Sequence, residues 1–105
     1  MAFDFVIGTA YRVKDRPSIV GSIEFDELPQ LERLGQRIDS FFLQRIANLF
    51  ADQQFSVAEV AQALDHLLPL LSQTMPDAER AMLHKLIAVL AFAQSRQQTL
   101  FGVAD

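Results

Sequence analysis

The chain has no cysteine among its 105 residues, which excludes disulfide staples, thiol chemistry and thiolate metal sites. It has no long hydrophobic run either. The densest, Leu86 to Ala93, falls far short of the roughly 20 apolar residues that a bilayer-spanning helix needs. Clustered cations are missing too: nine Lys and Arg occur singly among thirteen acids, for a formal net charge of −4. Nucleic-acid affinity rests mainly on clustered cations that displace counterions, so no nucleic-acid partner is expected. Met1-Ala2-Phe3-Asp4 offers no basic stretch followed by an apolar one, so a cleaved secretory signal is not expected. Together these absences predict a soluble, cytoplasmic protein without a membrane partner.

What is present is a globular balance, with half of the residues apolar and 21% charged. Such a chain predicts a single domain over residues 1–105 with its own core. The hydrophobic rhythm changes between Phe25 and Leu31. Before that point Phe3, Phe5, Ile7, Thr9, Tyr11 and Val13 alternate with Asp4, Gly8 and Arg12. Ile19, Gly21, Ile23 and Phe25 then alternate with Ser22 and Glu24. Lys14-Asp15-Arg16-Pro17-Ser18 between them has the composition of a turn, so residues 3–25 read as an antiparallel β-hairpin.

From 27 to 97 the period becomes helical. Leu31, Leu34, Ile38, Phe41, Phe42, Ile46, Leu49 and Phe50 form one stripe, predicting a first helix from Asp26 to about Ala51 with Pro29 in its opening turn. Ser56-Val57-Ala58-Glu59 is a capping box, in which serine and glutamate satisfy each other's free amides. It opens a second helix that must kink or stop near Pro69, which lacks a donor and clashes with the preceding turn. Asp77 to about Gln97 is the last helix, and its wide apolar arc implies a central position or a second face against a partner. The expected fold is α+β, a hairpin packed on three mainly antiparallel helices (ββααα), with residues 98–105 as a C-terminal tail.

No constellation for chemistry emerges. His84 has no ligand partner at helical spacing, His66 and its neighbour Asp65 point about 100° apart on a helix, and both histidines read as solvated. Glu24, Asp26 and Glu27 gather where strand meets helix, where carboxylates complement a helix N-terminus. Neither a phosphate loop nor a nucleophile elbow is present. No cofactor, metal or catalytic residue is therefore expected. The segment Phe55 to Leu64 resembles the first helix of helix-turn-helix domains, a resemblance limited to a tenth of the chain. It implies a following helix that offers basic residues to DNA, and here Arg80, His84 and Lys85 stand beside Glu79.

The expectation for function is a non-enzymatic interaction module that binds and masks another protein. An acidic bacterial inhibitor of immunity or antitoxin type is the class that fits, with a basic toxin or effector as its partner. The candidate partner-binding residues are Asp4, Arg12, Glu24, Asp26, Glu32, Asp39, Asp65, Phe92 and Phe101. Two alternatives stand beside it. One is a homodimeric assembly or adaptor subunit built from an open edge of the two-stranded sheet and the last helix. The other is a small-molecule or enzymatic pocket between hairpin and helices, with Thr9 or Tyr11 as its polar contact.

Overall fold

The computed structural model of the chain describes residues 2–8 and 19–104. Within them the fold is α+β. Strands β1 (Ala2–Gly8), β2 (Ile19–Glu24), β3 (Gln53–Phe55) and β4 (Thr99–Ala104) form an antiparallel sheet in the order β2-β1-β4-β3. Helices α1 (Leu28–Arg37), α2 (Phe41–Ile46), α3 (Val57–Leu67) and α4 (Asp77–Arg96) supply the second layer. The order is thus ββααβααβ rather than ββααα. The predicted hairpin loop, with Thr9, Tyr11 and Arg12, lies outside the described residues.

The largest correction concerns the C-terminus. Residues 99–104 are not a tail but an inner strand, paired with β1 from Phe3↔Ala104 to Gly8↔Thr99 and with β3 from Gln53↔Gly102 to Phe55↔Leu100. Alternation along these strands sends Phe3, Phe5, Ile7, Phe55 and Leu100 toward the helices, and Asp4, Val6, Phe101 and Val103 to the opposite face. Gly102 lies on the helix side under the ring of Phe3, which occupies the place where a Cβ would stand. On β2 the register shifts between Phe5 and Val6, so Gly21 opposes Phe5 while Ile19 opposes Val6. That bulge moves Ile19 off the apolar face predicted for it. Among the described residues the edge strands of the sheet are β2, which is bulged, and β3, which is short and whose Gln54 carbonyl accepts from Arg45 Nη2 at 2.6 Å. Both devices discourage strand addition.

The long first helix is divided. A 3-10 turn, Phe25–Glu27, precedes α1, which ends at Arg37 because Ile38 is extended (φ −150°, ψ 140°). Ser40, also extended, starts α2. The Ser56 capping box forms, with Glu59 N donating to Ser56 Oγ at 3.1 Å and Ser56 N to Glu59 Oε1 at 3.0 Å. Helix α3 stops at Leu67, and Pro69 sits in a 3-10 turn, Leu68–Ser72. Helix α4 is central: it lies against α1, α3, β2 and β4 and buries Met82, Leu83, Leu86, Val89, Leu90 and Ala93. It approaches β2 so closely that a Cβ on Gly21 would stand 2.6 Å from Val89 Cγ2.

Candidate functional site

Ionisable groups that face inward serve as ties. The buried Glu79 carboxylate on α4 accepts from Arg37 Nε on α1. Arg45 on α2 reaches Glu59 Oε2 at 3.0 Å and lies 4.3 Å from the Phe55 ring centroid, joining α2, β3 and α3. Lys85 on α4 holds Glu27 Oε2 at 2.7 Å. Burial pushes the Glu27 carboxyl up, but the bonds from Lys85 and the Glu24 amide and the Lys85 charge outweigh it, leaving its pKa below the ordinary value. Glu59 is likewise lowered, chiefly by the Ser56 amide and then, against some burial, by Arg45. No group of three His, Asp or Glu among the described residues could hold a metal ion. His84 is exposed, whereas His66 is half-buried edge-on to Phe41 with ring centroids 6.0 Å apart, and so is not the solvated residue expected. Among the described residues no helix is long and apolar enough to cross a membrane.

What faces outward falls into two apolar groups. The first lies at the end of the sheet where Glu24 pairs with Ala2 and Phe3 with Ala104. Phe25 and Phe50 meet there in solvent, 48% and 63% exposed, with ring centroids 5.8 Å apart and planes tilted by 53°. The 3-10 turn positions Phe25. The Phe50 amide donates to Asn48 Oδ1 at 3.3 Å, which steadies the turn that presents its ring. Glu24 and Asp26 flank Phe25, both exposed and in no ion pair with a described residue. Asp52 is anchored at the same sheet end, its Oδ1 accepting from the Ala104 amide at 2.8 Å. Asp4, opposite Ser22 on the outer sheet face, lies diagonally across from Glu24.

The second group runs along α4. A cleft of about 460 Å3 is lined by Ile19, Val20, Ala88 and Phe92. Ala88 also lines a cleft of about 230 Å3 with Leu71, His84 and Ile87, and Phe92 lines one of about 250 Å3 with Ile7, Arg96 and Gln98. These shared residues join the three into one groove. Phe92 is 40% exposed and has the Arg96 guanidinium over its ring at 5.1 Å.

The predicted residues are thus brought together only in part. Asp4, Glu24 and Asp26 converge at one sheet end. Phe92 lies on the α4 groove, and Phe101 on the outer sheet face beside a cleft of about 280 Å3 with Asp52, Gln53 and Gln54. Glu32 on α1, Asp65 on α3 and Asp39, which lies between α1 and α2 and accepts from Gln44 at 2.6 Å, sit apart. Arg12 lies outside the described residues. In the sequence Phe25 belongs to the strand alternation and Phe50 to the helical stripe, and no local signal pairs them. Comparison with known proteins finds no matching family model, no matching curated protein and no matching solved structure.

Proposed function

We propose that the chain is a non-enzymatic interaction module that masks a basic surface of a partner protein. The observation that carries this reading is the Phe25–Phe50 pair, two large rings held together in solvent and flanked by Glu24 and Asp26. Aromatic anchors supply much of the affinity of protein interfaces, and ring faces together with carboxylates favour Arg or Lys on the opposing surface. The charge distribution supports the same partner. Three of the cations are consumed internally by Glu27, Glu59 and Glu79, while Asp4, Glu24 and Asp26 form no such pair with a described residue. An inhibitor of immunity or antitoxin type is the finer form of this reading, because masking a basic effector needs surface and charge but no chemistry.

The test is capture from the lysate of the cell that makes the chain, with wild type run beside Phe25→Ala/Phe50→Ala and Glu24→Lys/Asp26→Lys. The expected result is a basic protein retained at low salt by wild type, weakened at high salt, and lost by both variants. Equal retention by the charge-reversed variant, or capture indifferent to salt, defeats the proposal.

A further inference from the structure

We propose that the outward face of α4 is a docking groove for an amphipathic helix of another protein, one that carries acidic residues at both of its ends. This goes beyond the reading above and rests on different residues. Arg80, His84, Ala88, Phe92 and Arg96 succeed one another at intervals of four on α4, forming a single ridge. The ridge is about 24 Å long at 1.5 Å per residue. Its middle is apolar and its ends are cationic. Arg80 Nη1 donates to the Leu71 carbonyl at 3.2 Å and Nη2 to that of Gln73, and it forms no ion pair with a described carboxylate. Arg96 lies over Phe92 and pairs with no described carboxylate. Among the described residues that line the three clefts, the ionisable ones are His84 and Arg96, in a chain whose net charge is −4.

A helix is the occupant that this shape takes. A ridge of residues four apart interdigitates with the matching ridges of a second helix, and Ala88 at its midpoint lets the two backbones approach. Leu71 and Ile87 wall one side, Ile19 and Val20 the other. Charge selects among helices. Laying α4 antiparallel on the α4 of a second copy, centred on Ala88, sets Arg96 of each against Arg80 of the other. That like-charge register disfavours self-pairing, whereas an incoming helix with carboxylates about four turns apart meets a cation at each end.

The experiment pans a displayed library of helical peptides, each of about 16 residues to match the ridge, against the intact chain. Their apolar residues are spaced by three and four, and their end positions are randomised among Glu, Gln and Lys. Glu-ended peptides should be enriched. Phe92→Asp should weaken them by about thirtyfold, the scale of an interface anchor, while the melting temperature holds. Arg96→Glu should turn the preference at that end from Glu to Lys. Phe25→Ala/Phe50→Ala should bind them as wild type does, which separates failure here from failure of the basic-partner reading. Several outcomes overturn the proposal: no enrichment over the Phe92→Asp chain, equal recovery of Glu-ended and Lys-ended peptides, self-association through this face, or binding to phosphatidylserine vesicles that Phe92→Asp abolishes.

Discussion

The Phe25–Phe50 corner and the α4 groove resemble one another in apolar content and differ in the charge around it. Both expose large side chains on a chain that fully buries Phe3, Phe5, Phe42 and Phe55. At the corner the flanking groups are Glu24 and Asp26; along the groove they are Arg80, His84 and Arg96. A net charge of −4 averages over this asymmetry and conceals it. Apolar anchors set how tightly a surface holds, and the charges at its rim set what it holds. Overall composition therefore points to the partner of one surface only.

Both surfaces fail together where they lose their common frame. Phe3 is fully buried between the sheet and the helices, so Phe3→Ala should cost about 3–5 kcal/mol, and Gly102→Val, which drives a side chain into that ring, about 1–3 kcal/mol or more. Urea unfolding measures both, and binding at corner and groove should fail together. Next in size, Arg37→Ala strands the buried Glu79 carboxylate and should cost about 3 kcal/mol. It loosens α1 from α4 without touching either surface directly.

Substitutions of exposed residues separate the two surfaces and should leave stability within about 0.5 kcal/mol of wild type. Phe25→Ala/Phe50→Ala should abolish capture of a basic partner and spare binding of acidic-ended helices. Phe92→Asp should do the reverse. The smallest effect is acid sensitivity. Glu27 and Glu59 titrate below the ordinary value of 4.5 in the folded state, so the stability they add is complete above that value and is lost as pH falls through their folded pKa values. Melting temperature should stay level from about pH 7 to pH 5 and then decline, with Glu27→Gln removing part of the decline.

Local signals made some elements legible and left others hidden. The Ser56–Glu59 box, the break at Pro69 and the start of α4 after Pro76 all act within one turn of chain, and each is visible in the residues themselves. The division between α1 and α2 carried a signal too, since Asp39-Ser40 suits a helix start. The unbroken stripe from Leu31 to Phe50 masked it. Strand β4 had no comparable mark. Leu100 and Gly102 face the helices while Phe101 and Val103 face away, so apolar residues on both faces read as a short run without alternation. Its identity as a strand comes from β1, at the far end of the sequence. For the same reason the acids of the candidate site were visible one by one, whereas the meeting of Phe25 with Phe50 exists only after folding.

Amide hydrogen exchange on the chain bound to the partner it captures locates the contact surface. Slowed exchange should cover residues 24–28 and 48–52 and leave α4 unchanged. Protection confined to α4, or to the outer sheet face around Phe101, would show that the Phe25–Phe50 corner does not hold the partner.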